Sequence, residues 1–252
     1  MNGSDTDQTG LDGHLRATAL PPDEIGLLEG LATTRAIRRY TDEPIPAADL
    51  RAILFAATRA PSGSNRQPFR FLVLTDGPKA RAAKDLIGTA ARKMWRGKRK
   101  ADGYDSGSGS RPDSPKARLA ATMQHYVDHF QQVPVLVLPC LVRYREATPF
   151  EGASIYPAVQ NLLLGARALG YGGCITGFHG GVHEELKALL DIPEEAVIAA
   201  TVTLGRPAGR LGPVRRRPLA ELVFEEVWMN APDWAVDPPG TRHTSAGPPR
   251  KA

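Results

Sequence analysis

The sequence predicts a layered domain of the α/β or α+β class. Short apolar segments with strand character alternate with helix-like segments along most of the 252 residues, and this alternation is typical of a sheet covered by helices. A chain of this length can bury a large hydrophobic core. No Gly-x-Gly-x-x-Gly sequence follows the first predicted strand, so a standard dinucleotide-binding fold is not supported.

The first half of the chain predicts helices on both sides of one strand. Pro46 stands where a proline can occupy the first turn of a helix, and apolar residues recur after it at helical spacing. The predicted elements are a helix over residues 24–32, the helix after Pro46, a buried strand over 69–75, a basic helix over 78–100 and a helix over about 116–131.

The second half predicts three strands separated by two helices. Pro139 lies inside the first of these strands and has no N–H to donate, which indicates a sheet edge, a strand end or a bulge. Gly170 stands where a glycine commonly ends a helix. The predicted elements are strands over residues 133–142, 171–176 and 196–204, and helices over 155–169 and 182–190.

Composition predicts one domain with flexible additions. Residues 1–22 are rich in Gly, Asp and Thr and predict a flexible leader. The domain follows over residues 23–230, and residues 231–252 form a Pro-rich tail. Residues 101–116 contain alternating Gly and Ser and predict a flexible insertion or lid, since core-forming segments continue on both sides.

The cysteine and hydropathy patterns predict a cytoplasmic protein with no membrane partner. Cys140 and Cys174 each lie in an apolar stretch and indicate buried thiols in a reducing compartment. No apolar run reaches the roughly 20 residues that span a bilayer. The N-terminus lacks the basic start and apolar core of a signal peptide.

The charge pattern favours a small anionic ligand over nucleic acid. The net charge is +5, and basic proteins can bind nucleic acid. Here the tight basic groups are compact, no predicted helix carries a continuous basic stripe, and no DNA- or RNA-binding signature is present. A metal site is not expected either, because His125 and His129 share a helical face without a third ligand at matching spacing.

Two motifs carry the chemical signal. The arginine segment, residues 34–40, reads Thr-Arg-Ala-Ile-Arg-Arg-Tyr, and the proline loop, residues 61–68, reads Pro-Ser-Gly-Ser-Asn-Arg-Gln-Pro. Arginine forks bind phosphate oxygens in a bidentate manner. A loop of small polar residues exposes backbone N–H groups and leaves room for a planar ligand.

Together these motifs resemble the signature of the flavin-dependent nitroreductase family, in which an Arg-x-x-Arg-x-Phe/Tyr segment and a Pro-Ser-Ser/Gly-x-Asn-x-Gln-Pro-Trp loop hold FMN. A third stretch, Gln-Asn-Leu-Leu-Leu-Gly-Ala-Arg-Ala-Leu-Gly-Tyr-Gly over residues 160–172, is similar to a core and dimer-interface helix of that family. The resemblance covers about residues 28–227. It implies an α+β, three-layer α/β/α sandwich with a central, mostly antiparallel sheet, and a homodimer with FMN between the subunits.

The resemblance also implies roles for individual residues. It places Arg35 at the FMN phosphate together with Arg215 and Arg216 of the basic triplet, residues 215–217, because the family supplies a basic residue just before a Pro-Leu pair and this chain has one there. Arg38 would stabilise the negative charge that builds at N1 and the C2 carbonyl of the reduced flavin. The full set of implied cofactor-binding residues is Thr34, Arg35, Ala36, Arg38, Pro61, Ser62, Gly63, Asn65, Gln67, Ile175, Thr176, Gly177, Arg215 and Arg216.

The chain departs from the family pattern at two positions of the arginine segment. Thr34 stands where the family has an arginine, and Ala36 stands where it has a serine. One cation and one hydroxyl are therefore missing from the expected phosphate site. Arg39 or the basic triplet could compensate.

The implied reaction is a ping-pong transfer in which NADPH or NADH reduces the flavin at N5, leaves, and is replaced by a nitroaromatic, quinone or similar small oxidant. No side chain is required as a catalytic group, because the cofactor carries the chemistry. Three alternatives stay open: a flavin-fragmenting or dehalogenating relative, a protein that sequesters flavin, and an anion-binding regulator without flavin. The last leaves the proline loop unexplained.

Overall fold

A computed structural model describes residues 19–244, so part of the predicted leader and the end of the predicted tail lie outside the described residues. Helices and strands alternate through it as the sequence predicts. The helices are α1 (Leu27–Thr33), α2 (Ala47–Thr58), α3 (Pro78–Ala101), α4 (Pro115–Asp128), α5 (Tyr156–Ala168) and α6 (His183–Leu190). The strands are β1 (Phe69–Leu74), β2 (Val135–Val142), β3 (Gly172–Thr176), β4 (Ala196–Ile198) and β5 (Thr201–Gly205).

The strands form one five-stranded antiparallel sheet. Its order is β1-β2-β5-β3, and the short strand β4 pairs with the other end of β2. Strand β2 is buried along seven of its eight residues, consistent with a central position. Strands β1 and β3 therefore lie at opposite edges of the sheet.

A helical layer covers each face of the sheet. On one face, side chains of α2 and α5 such as Ile53 and Leu162 pack against Val137 and Val202. On the other face, side chains of α3, α4 and α6 pack against Leu136 and Leu138. This arrangement confirms the predicted α+β class and the three-layer α/β/α sandwich with an antiparallel sheet.

Helix boundaries follow local chemistry. Pro46 is the residue before α2 rather than its first helical residue. Ser114 caps α4, since its Oγ accepts a hydrogen bond from the backbone N–H of Ala117 at 3.0 Å. Gly170 has a φ of +75° just after α5, and its N–H bonds to the carbonyl of Arg167, which confirms its predicted role in ending the helix.

The strand predicted over residues 196–204 is wrong in one respect, because the structure divides it into β4 and β5. Cys140 pairs with Ile198 and Val137 pairs with Val202. Residues 198–202 therefore contain one more residue than the matching residues 137–140 of β2. This extra residue is a bulge. It lies opposite Pro139, whose carbonyl accepts a hydrogen bond from the N–H of Ala199 at 2.8 Å. The nitrogen of Pro139, which carries no hydrogen, faces the same neighbouring strand as that carbonyl.

The insertion between α3 and α4 is tied to both helices. Tyr104 packs edge-on against Trp95, with ring centroids 5.1 Å apart. The Arg99 guanidinium forms a bidentate ion pair with Asp105. The Gly-Ser stretch thus contains one aromatic and one ionic anchor. Among the described residues, no helix has the length and apolar character needed to cross a membrane.

Candidate functional site

The arginine segment lies along β3, at one edge of the sheet. The backbone N–H of Ile37 donates to the carbonyl of Gly173 at 2.9 Å, and Ala36 forms a parallel bridge with Gly173. Further along, Tyr40 forms an antiparallel bridge with Pro207. Backbone pairing therefore fixes which residues of the segment face each side of β3.

A pocket of about 180 Å³ lies beside this edge and gathers five of the predicted residues. The backbone N–H of Val214 bonds to the carbonyl of Ala32 at 2.9 Å, which brings the basic triplet next to the arginine segment although nearly two hundred residues separate them. The pocket is lined by Leu31, Thr34, Arg35, Ala36, Gln160, Leu163, Gly173, Ile175 and Arg216.

The arginines at this pocket have no acidic partners in the described part of the chain. Arg35, Arg215 and Arg216 form no ion pair there, whereas Arg217 pairs with Glu221 at 2.6 Å. Arg216 Nη1 donates only to the neighbouring carbonyl of Arg215. Exposed cations that lack internal partners are available to an anion, and arginine suits phosphate best.

Arg38 lines a different pocket from Ile175. It shares a small pocket of about 50 Å³ with Tyr40 and Tyr126, and its charge partly offsets the rise that burial causes in the pKa of the Cys174 thiol. The Nε atom of Arg38 is buried and has no hydrogen-bond partner. A buried donor left unpaired is costly, so this atom marks a place where a ligand acceptor fits.

A chain of buried hydroxyl groups lies next to Arg38. Tyr126 Oη and Thr203 Oγ1 are 2.7 Å apart, and Thr203 Oγ1 and Tyr40 Oη are 2.8 Å apart. The chain ends on the backbone, where Tyr40 Oη donates to the carbonyl of Ile37 at 2.6 Å. Burial is the main cause that raises the pKa of Tyr40 and Tyr126, so both hydroxyls stay protonated.

The predicted residues 175–177 lie at the end of β3, on the sheet edge that the arginine segment flanks. Ile175 and Gly177 are exposed and Thr176 is partly buried. Thr176 Oγ1 donates weakly to the carbonyl of Thr201 at 3.4 Å. Of these three predicted residues, only Ile175 lines the 180 Å³ pocket.

The proline loop is held in an unusual backbone conformation. Ser64, Asn65 and Gln67 have φ values of 53°, 50° and 49°, in the left-handed region that such residues rarely adopt. Ser62 Oγ accepts from the backbone N–H of Gln67 at 2.9 Å and so closes the loop. Strain of this kind is retained where the loop must present its backbone in one way.

A neighbouring loop supports the proline loop. The backbone N–H of Gly63 donates to Ser154 Oγ at 3.2 Å, and the Arg66 guanidinium stacks over the ring of Tyr144 at 4.7 Å. The loop that supplies both partners is itself fixed by the ion pair between Arg143 and Glu151 at 2.6 Å. Pro61, Asn65 and Gln67 are exposed and free to meet a ligand.

The structure does not bring the proline loop to the arginine segment within one chain. The proline loop leads into β1 and the arginine segment flanks β3, so they lie at opposite edges of the sheet. Three strand spacings of about 4.8 Å separate these edges by roughly 14 Å or more. Nine of the fourteen predicted residues belong to the arginine edge and five to the proline loop.

Sequence reasoning missed several neighbours of these residues. Gln160 and Leu163 line the arginine pocket, although Gln160 opens a stretch that the family resemblance already includes. Tyr126 and Thr203 gave no signal, because only tertiary packing places them beside Arg38. His125 and His129 stack with ring centroids 4.2 Å apart. Within residues 19–244, no group of three or more potential ligands could hold a metal ion.

Comparison with known proteins identifies the family. The model of the nitroreductase family matches residues 31–206. An NADH dehydrogenase of Thermus thermophilus is 29% identical over 75% of this chain and 91% of its own length. A nitrobenzene nitroreductase of Ectopseudomonas oleovorans is 25% identical over 76% of this chain and 91% of its own length.

A solved structure agrees with these sequence relationships. A Desulfovibrio desulfuricans protein crystallised in complex with FMN is 29% identical, with a TM-score of 0.59 over 81% of this chain and 99% of that chain. The chain therefore belongs to the nitroreductase family. This confirms both the resemblance noted in the sequence and the expectation of an oxidoreductase enzyme.

Proposed function

We propose that this member of the nitroreductase family is an FMN-dependent oxidoreductase that uses NAD(P)H, and that its site is completed by a second copy of the chain. The observation that carries the proposal is the separation of two complementary half-sites. One edge of the sheet offers arginines that have no acidic partner among residues 19–244. The other offers a strained loop of exposed polar backbone.

The residues at the arginine edge fit the phosphate end of FMN. Arg35 and Arg216 would bind the phosphate, with the Thr34 hydroxyl beside them. Arg216 lines the same pocket as Thr34, which stands where the family has an arginine, so Arg216 would supply the missing cation. Thr34 Oγ1 donates to the carbonyl of Gly30 at 2.7 Å, so the Thr34 hydroxyl does not replace the donor lost at Ala36.

The flavin ring would lie across β3, from the pocket toward Arg38. The chemistry that FMN supplies when bound is two-electron transfer from NAD(P)H to an oxidant. Arg38 holds a positive charge, with an unpaired Nε, where negative charge develops on reduction. The backbone of Ile175, Thr176 and Gly177 would border the ring, and Pro61, Ser62, Gly63, Asn65 and Gln67 of the second copy would border it from outside.

Exposed apolar surface supports a homodimer. On α1 and α2, Leu27, Leu28 and Phe55 are 70%, 81% and 45% exposed. They adjoin an apolar pocket of about 430 Å³ between α1, α2 and α5. Water-exposed side chains of this size are normally covered by a partner when they cluster.

The surroundings of the proline loop favour aromatic oxidants. Phe150 is 79% exposed and Tyr144 is 54% exposed, both on the loop that supports Gly63. Flat aromatic side chains beside a flavin ring suit flat aromatic ligands, because offset ring pairs attract. We therefore propose nitroaromatics and quinones as the oxidant class.

The test is anaerobic reduction of the purified protein. We expect yellow protein that releases FMN rather than FAD on heating, and bleaching by NADPH or NADH that an added nitroaromatic or quinone reverses. Protein that stays colourless and cannot be reconstituted with FMN would contradict the proposal. Bound flavin that neither nucleotide bleaches would indicate a flavin store, and loss of FMN itself would indicate a flavin-fragmenting enzyme.

We also propose that residues 101–116 act as a lid over the substrate entrance. Replacing residues 103–110 by a two-residue turn removes Tyr104 and Asp105, and with them both anchors. We expect the FMN content and dimer mass to persist while kcat/KM shifts between small and bulky oxidants. Equal kcat/KM ratios in parent and deletion variant would reduce the segment to a surface loop.

A further inference from the structure

We infer that Tyr126 and Thr203 are positioning residues for Arg38, and that their hydroxyl groups set the reduction potential of the flavin. The inference rests on the proposed function, since it assumes that FMN binds beside Arg38. Neither residue belongs to the arginine segment or to the proline loop. They act from α4 and β5, behind the edge where the flavin would lie.

The shortest contact of each hydroxyl gives these hydrogen bonds one direction, although Tyr40 Oη also lies 3.2 Å from the carbonyl of Thr203. A tyrosine hydroxyl has one proton to donate, and Tyr40 uses its proton on the carbonyl of Ile37 at 2.6 Å. Thr203 must then donate to Tyr40, and Tyr126 must donate to Thr203. The chain Tyr126–Thr203–Tyr40 therefore ends by holding the peptide that precedes Arg38.

Ile37 is held at the peptides on both of its sides. The N–H of Ile37 bonds to Gly173 of β3, and its carbonyl bonds to Tyr40. Both φ and ψ of Ile37 are thus constrained, and they decide where the Arg38 side chain leaves the backbone. Loss of the hydroxyl chain would free one of the two sides.

The chain also places neutral hydroxyl groups beside Arg38, in a pocket that the charged residues Arg39 and Asp42 line as well. Arg38, Tyr40 and Tyr126 line one small pocket, and no carboxylate forms an ion pair with Arg38 in the described part of the molecule. Asp42 lines the same pocket without pairing to it. A cation among neutral hydroxyls keeps its field, whereas a carboxylate would cancel it. The charge stays available to a reduced flavin.

The test compares variants that separate the hydroxyl from the shape of the side chain. Thr203→Val keeps the shape and removes the hydroxyl, and Thr203→Ser keeps the hydroxyl and removes a methyl group. We expect Val at this position to make the flavin midpoint potential more negative and to slow its reduction by NADPH about 3- to 10-fold, the range of one lost hydrogen bond. Ser should retain the parent potential, and FMN affinity should change less than about 3-fold in both.

Two further variants guard against a folding defect. Tyr126→Phe should have the same effects on the midpoint potential and the reduction rate as Thr203→Val, because it removes the first hydroxyl donor of the chain. Tyr171→Phe is the matched control, since Tyr171 is equally buried but bonds Asp49 at 2.6 Å instead of Thr203. It should leave the potential unchanged.

Coupling decides the role of Arg38. In an Arg38→Ala background, Tyr126→Phe should cause no further change in potential, because nothing is left to position. Additive shifts, or an effect of Thr203→Ser as large as that of Thr203→Val, would overturn the inference. A parent protein that binds no FMN would instead overturn the proposed function. Bound FMN with unchanged potentials would overturn only this inference.

Discussion

The two edges of the sheet solve different binding problems. The arginine edge relies on side-chain charge, with Arg35, Arg38 and Arg216 drawn from distant parts of the chain. The proline edge relies on backbone, with Ser64, Asn65 and Gln67 at positive φ in a loop that the Ser62 hydroxyl closes. The first suits a phosphate and a developing anion, and the second suits a flat, neutral ring. Since one chain places them at opposite edges, the proposed function requires each to be completed by the other edge of a second copy.

Mixing two defective chains is the strongest test of this comparison. Gly63→Trp places a large ring on the proline loop, and Arg216→Ala removes a phosphate ligand, so each homodimer should retain little FMN. Coexpressed chains that pair at random should recover about a quarter of the sites, because each mixed dimer combines one intact arginine edge with one intact proline loop. Flavin content per subunit measures this. If the mixed chains contain no more flavin than either variant alone, the arginine edge and the proline loop do not form one site across two subunits.

Within the basic triplet, neighbouring arginines should behave differently. Arg216→Ala should weaken FMN binding by about 1.5–3 kcal/mol, the value of a charge-assisted hydrogen bond. Arg217→Ala is the matched control, because Arg217 already pairs with Glu221 and should leave binding almost unchanged. Fluorescence titration of apoprotein with FMN compares them, and equal losses would mean that only net charge matters.

Arg38 should affect reactivity more than affinity. Its charge faces negative charge that is present only after reduction, so it stabilises the product state over the ground state. Arg38→Ala should lower the flavin potential and slow reduction by NAD(P)H about tenfold, with a smaller effect on FMN retention than Arg216→Ala. Stopped-flow reduction and a potentiometric titration provide both values. Parent-like kinetics would assign Arg38 to packing alone.

Acid should destabilise the sheet between the two edges by a small amount. His179 is buried, and burial followed by the charge of His183 lowers the pKa of its imidazole below the ordinary 6.5. The folded state therefore binds fewer protons than the unfolded state, so stability is complete above about pH 6.5 and falls as the pH drops below it. The Tm of the parent should fall below pH 6.5 more than that of His179→Gln. Parallel Tm curves would contradict this.

Local chemistry predicted most of the fold, and long-range contacts explain what it missed. Gly170 and the helix that it ends could be placed from sequence because a left-handed residue leaves a local signal. Arg35 and Arg216 could be grouped only through the family resemblance, since nothing local links them. The role of Thr203 depends on Tyr126, 77 residues earlier in the chain, and no spacing rule predicts such a pair.

The extra residue between β4 and β5 decides which chemistry each face of the sheet contains. Side chains alternate along a strand, so Ile198 would ordinarily share a face with residues 200 and 202. The bulge reverses this parity. Ile198 and Thr203 both face α3 and α4, while Ala200 and Val202 face α5. Deleting Ala199 would turn the two threonines of β5 toward the layer that contains α2 and α5, and would remove the Thr203 hydroxyl from Tyr126. A single inserted residue, placed where Pro139 has no N–H to donate, thus allows a chain of hydrogen-bonded hydroxyl groups to cross the hydrophobic core.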